Sequence, residues 1–128
     1  MIPFLAIGDF GSGYSEQFKV ANSLNNYKID FICGLGDNIY EHGVSSENDK
    51  QFYTKFEKPY SKLSDKIKWY MCVGNHDYGN KLNRMFSNRQ KYQVNYTKHS
   101  NKWVMPNLYY HYQKKKNNIT IDFIVLDT

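Results

Sequence analysis

Three times the chain runs through a short apolar stretch, breaks it with glycine and arrives at a small polar side chain. The stretches are Phe4-Leu5-Ala6-Ile7-Gly8-Asp9, then Phe31-Ile32-Cys33-Gly34-Leu35-Gly36-Asp37-Asn38, and the run from Trp69 to Val73 followed by Gly74-Asn75-His76-Asp77. Apolar runs of this length, bounded by glycine, read as buried strands. Helical spacings lie between them, so the chain reads as α/β, built of βα units on a parallel sheet. Sites in such sheets form beyond the carboxyl ends of the strands. Asp9, Asp37 and Asn75 each stand just past such an end, and three consecutive units would bring them together.

Residues 2–7 form the first expected strand, and Gly8 to Gly13 a glycine-rich loop. Ser15 is the expected helix N-cap, with Glu16 in the first turn. Val20, Ala21 and Leu24 share a helical face, which Asn25-Asn26 close. Residues 30–35 are the second strand, and the whole has the length of a βαβ unit with parallel neighbours. Phe52, Phe56, Tyr60 and Leu63 recur at a helix period that Pro59 disturbs near its end. Residues 67–73 are the third strand. Leu82, Met85, Phe86, Tyr92 and Tyr96 predict one or two helices between Tyr78 and His99. Residues 108–112 and 119–126 predict two more strands, with Lys114-Lys115-Lys116 at the tip between them. A last strand of parallel type ending at Asp127-Thr128 would leave apolar surface uncovered, so the sequence reads as cut there.

At 128 residues the chain has room for one domain, and 41% hydrophobic with 17% aromatic residues can fill its core. The net charge of +5 is spread over scattered lysines. It suits a solvated surface with some attraction for anionic substrates, and no stripe argues for nucleic acid. Cys33 and Cys72 lie inside expected strands and read as free, buried thiols, with a disulfide between them as the lesser alternative. No run has transmembrane length. No leader precedes the first strand, which makes the cytoplasm the default compartment.

Carboxylates and an amide oxygen are hard ligands suited to Mg, Mn, Fe or Zn at a hydrolytic centre. Two metal ions clamp a phosphoryl group and activate water for in-line attack. His76, next to Asn75, is placed to protonate a leaving alkoxide. A single Gly-Asp after a strand is an ordinary turn; three in register, the last followed by His-Asp, are not. His42, His99 and His111 have no partner pattern and read as surface or packed histidines.

Gly8-Asp9-Phe10-Gly11, Gly36-Asp37-Asn38-Ile39-Tyr40 and Gly74-Asn75-His76-Asp77 resemble the first motif blocks of the calcineurin-like metallophosphoesterases. Tyr40, three residues after Asp37, and Phe123 to Thr128 resemble the purple acid phosphatase branch, and within it the small tartrate-resistant type. The stretch from Glu41 to Tyr60, Trp103-Val104-Met105-Pro106 and Tyr109-Tyr110 extend the similarity over nearly the whole chain.

The resemblance implies the N-terminal half of a four-layer α/β/β/α metallophosphoesterase sandwich, a mixed sheet with βαβ units. It implies that Asp9 binds a first, ferric ion together with the Tyr40 phenolate and that Asp37 bridges two ions. Asn75 would bind the second ion, divalent iron, zinc or manganese. His76 would assist the leaving group, with Asp77 and Asn38 as support behind the ligands. The implied reaction is hydrolysis of phosphate monoesters at acid pH, with no nucleic-acid or membrane partner; the family is often secreted or lysosomal. The family's later histidine blocks lie beyond Thr128, so residues 1–128 are expected to be an incomplete phosphoesterase domain, inactive alone. A non-catalytic remnant and a phosphodiesterase on the same fold are the rival readings.

Overall fold

The computed structural model describes residues 1–79 and 88–127. Strands β1 (Phe4–Ile7), β2 (Phe31–Gly34), β3 (Lys68–Met71) and β4 (Trp103–Val104) form one sheet in sequential order, parallel throughout. Between them lie α1 (Ser15–Leu24), a helical stretch that starts as α2 (Lys50–Phe52) and widens to a π-helical turn over Tyr53–Glu57, and α3 (Arg89–Tyr96). Crossovers between neighbouring parallel strands share one hand, so a sheet in sequential order carries its helices on a single face. Side-chain alternation sorts the two faces.

Leu5, Ile32, Trp69 and Trp103 are in register across the sheet and face the helices. There they join Ala21 and Leu24 of α1, and Phe52, Phe56, Tyr60 and Leu63 from the second helical stretch. The expected helical period thus holds in burial even where the helix itself changes pitch and stops before Pro59. Trp69 is the hub, with ring centroids at 4.6 Å from Tyr60 and 5.3 Å from both Phe10 and Phe56. Tilted and edge-on pairs of this kind add stabilisation beyond area burial.

A hairpin of β5 (Tyr110–Lys116) and β6 (Ile119–Val125), paired antiparallel, covers the other face. Phe123 meets Phe4 and Phe31 edge-on, and Tyr112 stacks on Tyr70 at 3.8 Å. The layers are helices, parallel sheet and antiparallel hairpin, three of the four expected. Parallel and antiparallel pairing are divided between the two sheets.

Several local expectations change. Lys114 to Lys116 belong to β5, not to the hairpin tip. The turn is Asn117-Asn118, where Asn117 takes φ 55, a conformation asparagine tolerates. Lys114 Nζ sits 4.2 Å from the Tyr70 ring centroid and donates to its hydroxyl at 2.7 Å, so its stem and charge clasp the two sheets. Ser15 is inside α1 and Tyr14 is the N-cap, without a side-chain cap bond; the Gly13 N–H donates to Gln17 Oε1 at 2.7 Å instead. The last strand is antiparallel to β5 rather than of parallel type; Ile119 and Ile124 are its exposed large apolar residues, and Leu126 just after it is exposed too. Strand β4 had no apolar run to announce it. Leu82, Met85 and Phe86 lie outside the described residues, and α3 carries Tyr92 and Tyr96. Cys33 and Cys72 are free thiols, both pushed up by burial. Among the described residues, no helix is long and apolar enough to cross a membrane.

Burial pushes the Tyr60 phenol up to about 12. The native state therefore favours the protonated phenol. That contribution is complete below the ordinary tyrosine value and is lost as pH rises through about 12. Denaturant unfolding should show stability falling in this alkaline window, with a shallower fall in Tyr60→Phe.

Candidate metal centre

The loops after β1 and β2 remain stitched together beyond the strands. Leu35 N donates to Ile7 O at 2.9 Å, and Asp9 N to Gly36 O at 3.1 Å. Asp9 and Asp37 then take φ values of 55 and 50, in the left-handed region that side chains other than glycine rarely adopt. Strain of this kind persists only where surroundings over-determine it, and it gathers at functional sites. The loops also approach very closely. A Cβ on Gly11 would lie 1.7 Å from the Asn38 carbonyl oxygen, and one on Gly74 would lie 2.3 Å from Asp37 Oδ1.

This packing brings two carboxylates and a phenol to one point. The Tyr40 hydroxyl bonds Asp9 Oδ1 in a short contact and Asp37 Oδ2 at 3.1 Å. The other Asp37 oxygen accepts the His76 N–H at 2.9 Å. Desolvation and the two carboxylates hold the Tyr40 phenol well above its ordinary value.

Asn75, His76 and Asp77 lie in a 3₁₀ turn over Asn75–Tyr78. At three residues per turn, neighbouring side chains point roughly 120° apart. Asn75 is exposed. The His76 ring packs 4.6 Å from Tyr40, with Nδ1 2.7 Å from the Glu41 carbonyl oxygen. A carbonyl only accepts, so Nδ1 carries the proton and Nε2 is the reactive nitrogen. Asp77 points inward and is fully buried. It accepts from Gly74 N at 2.8 Å, Asn38 N at 3.0 Å, Ile39 N at 3.2 Å and Gln93 Nε2 at 2.7 Å. Burial pushes its carboxyl up while these donors pull it down. Asn38, also fully buried, donates to the Cys72 carbonyl and to Gln93 Oε1.

The structure therefore joins Asp9, Asp37, Tyr40 and His76 in one contacting set, with Asp77 and Asn38 behind it and Asn75 at its edge. His42, His99 and His111 are exposed. Among the described residues no group of three or more His, Cys, Asp and Glu side chains gathers as a metal site. The converging donors are instead two carboxylates and a phenol, all hard oxygens, and that set fits a hard cation. Three supporting residues carried no sequence signal. Gln93 is a buried amide in a polar helix. Glu41 acts through its carbonyl. Lys55 donates to the Tyr40 carbonyl and to Gln51 Oε1.

Two substitutions test this framework. Asp77→Asn turns an acceptor into a donor among four N–H groups and should cost about 3 kcal/mol of stability. Gly11→Ala forces the first two loops apart and should cost about 3 kcal/mol. Denaturant unfolding of each variant measures both.

The sequence model of the calcineurin-like phosphoesterase family matches residues 2–126. Tartrate-resistant acid phosphatase type 5 of Homo sapiens is 33% identical over 138 aligned positions, covering 98% of this chain and 40% of that protein. The Rattus norvegicus protein of the same name is 35% identical over the same shares. Purple acid phosphatase 4 of Arabidopsis thaliana is 39% identical over 82 positions, covering 60% of this chain and 24% of its own. The chain thus spans about 40% of the length of the animal relatives it matches. A solved structure described as GAP50, the anchor in the inner membrane complex of Plasmodium, superposes with a TM-score of 0.73 at 24% identity, over 98% of this chain and 41% of that one; it speaks for the fold alone. By the family match over nearly its whole length, the chain belongs to the calcineurin-like phosphoesterases, among relatives that are tartrate-resistant and purple acid phosphatases.

Proposed function

We propose that this chain supplies one side of a dinuclear metal centre that hydrolyses phosphate monoesters. The observation that carries the reading is the Tyr40 hydroxyl set against the carboxylates of both Asp9 and Asp37, which come from separate strand ends. Asp9 and Tyr40 would hold a ferric ion, Asp37 would bridge, and Asn75 would hold a divalent iron, zinc or manganese. Residues 1–128 are then part of a larger phosphoesterase domain, with imidazole ligands supplied from outside them. That agrees with the 40% span of the animal relatives.

The bound ions would supply Lewis acidity at the phosphoryl oxygens and an activated water. The rest falls to side chains of this chain. Tyr40 must give up its proton to solvent to act as a ligand, because Asp9 and Asp37 are needed as carboxylates. His76 is fixed through Nδ1 on the Glu41 carbonyl, which leaves Nε2 as the nitrogen able to serve the reaction. With both nitrogens protonated, His76 donates to the leaving alkoxide oxygen. Asp37 accepts the His76 backbone N–H, which ties the proton donor to the bridging carboxylate. Asp77 and Asn38 keep the second and third loops in register.

The test uses full-length protein reconstituted with iron and zinc. A visible absorption band lost in Tyr40→Phe supports the ferric phenolate. His76→Ala should lower kcat on an alkyl phosphomonoester by roughly 10²–10⁴-fold. Less effect is expected on 4-nitrophenyl phosphate, whose leaving group needs no proton. Equal hydrolysis of a phosphodiester and a monoester would overturn the monoesterase reading, and no hydrolysis of either would favour a non-catalytic role.

A further inference from the structure

Lys55 stands where the first two loops meet the helical core, yet neither the ligand set nor the proton donor includes it. It lies in the π-helical turn over Tyr53–Glu57, closed by the Lys58 N–H on the Tyr53 carbonyl at 2.9 Å. Turns of this kind are rare and recur at functional sites. Phe52 and Phe56, on either side, are buried and pin the turn to the core. Tyr53 and Thr54 are exposed, whereas Lys55 is half-buried. A lysine turned inward needs partners for its ammonium.

Those partners lie on the segment that carries the site. Lys55 Nζ donates to the Tyr40 carbonyl and, at 2.8 Å, to Gln51 Oε1. Gln51 Nε2 donates in turn to the Gly43 carbonyl at 3.1 Å. The pair therefore grips the chain on both sides of Glu41, whose carbonyl anchors His76. Half-burial pulls the ammonium below its ordinary value, and the Asp49 and Glu41 carboxylates act against that pull. The backbone end of Lys55 is fixed too. Its carbonyl accepts Gln17 Nε2 at 2.5 Å, and Gln17 Oε1 accepts the Gly13 N–H at 2.7 Å. Its stem runs along Gly13, where an added Cβ would lie 3.4 Å from Lys55 Cγ and Cε.

We infer that Lys55 is a positioning residue for the metal centre: it holds the Tyr40-Glu41 segment from behind and so places the Tyr40 hydroxyl and the His76 ring together. The inference rests on the dinuclear-centre reading above. One dipeptide carries a ligand on the side chain of its first residue and orients the proton donor through the carbonyl of its second. The Tyr40 N–H is held by the Gly11 carbonyl at 3.0 Å, and Lys55 holds the Tyr40 carbonyl, so both ends of the ligand residue are fixed. Lys55 also lines a cavity with Ser12, Tyr14, Tyr40 and Glu41, which makes direct contact with substrate the rival role. Two of the three donors of its ammonium are already committed to Tyr40 and Gln51, and that commitment favours positioning.

Lys55→Met keeps the stem against Gly13 and removes the donors, whereas Lys55→Arg keeps both charge and donors. Each is compared with the unsubstituted full-length protein, loaded with iron and zinc. In Lys55→Met the visible band of the ferric phenolate should move in wavelength. Its kcat on an alkyl phosphomonoester should fall about tenfold to a hundredfold, with KM within about twofold of the parent value. Lys55→Arg should restore the parent band and bring kcat back to within about threefold. A parental band and kcat in Lys55→Met overturn the positioning role and leave the phosphatase reading intact. So does a raised KM with band and kcat unchanged, which puts the ammonium on the substrate. An unsubstituted protein with neither a visible band nor hydrolysis overturns the metal-centre reading and the inference with it.

Discussion

The buried Asp77 carboxylate is the point on which the site's geometry depends. Its two oxygens take N–H groups from the second loop, the third loop and α3. Those three segments share no continuous hydrogen-bond ladder at this end of the sheet. A carboxylate with four donors ties them where a ladder cannot. The cost is desolvation, which raises the carboxyl, and the donors offset it. A half-satisfied version would be worse than an apolar core, so the amide of Gln93 matters as much as the acid. It gives its N–H to Asp77 and takes one from Asn38.

Behind that tie, negative charge is allowed to accumulate. Asp9 and Asp37 lean on the same hydroxyl, both with left-handed backbones and with glycine at each close approach. Folding alone has no need of two carboxylates converging at a strained strand end. A fold that wanted only a turn could place asparagine or glycine at either position at lower electrostatic cost. The parallel sheet explains how the cost is met. Its strands are covered by helices on one face and by the hairpin on the other, so the carboxyl ends are rigidly spaced. The Phe10–Trp69–Phe56–Tyr60 cluster lies directly beneath the first loop.

Much of this was legible because the signals are local. The three strand ends, the first βαβ unit and the buried period from Phe52 to Leu63 all follow from short-range pattern. Asp9, Asp37, Tyr40 and His76 do meet. What stayed hidden depends on partners distant in sequence. Strand β4 is two residues long and exists because Trp103 packs beside Trp69 and the Phe52 and Phe56 rings. Lys114 reads as a turn residue until Tyr70 and Phe31 supply rings for its charge. Gln17 is polar, yet it takes a buried place on α1 beside Ala21 and Leu24, where it accepts the Gly13 N–H and anchors Lys55. A polar side chain that satisfies a remote backbone group leaves no periodic trace.

The Asn75-His76-Asp77 triplet shows why pitch matters as much as composition. In an extended strand, side chains two apart share a face. Asn75 and Asp77 would then point the same way, and one could not be buried while the other met solvent. The 3₁₀ turn separates all three directions. Asn75 goes outward to the edge of the site, His76 over the Tyr40 ring, and Asp77 into the interior. Gly74 before the turn lets the backbone pass within contact of Asp37. Gly79 closes it with φ 98, a value only glycine takes readily. Three adjacent polar residues thereby do three different jobs, and the one that chemistry would rank last, the buried aspartate, sets the position of the other two.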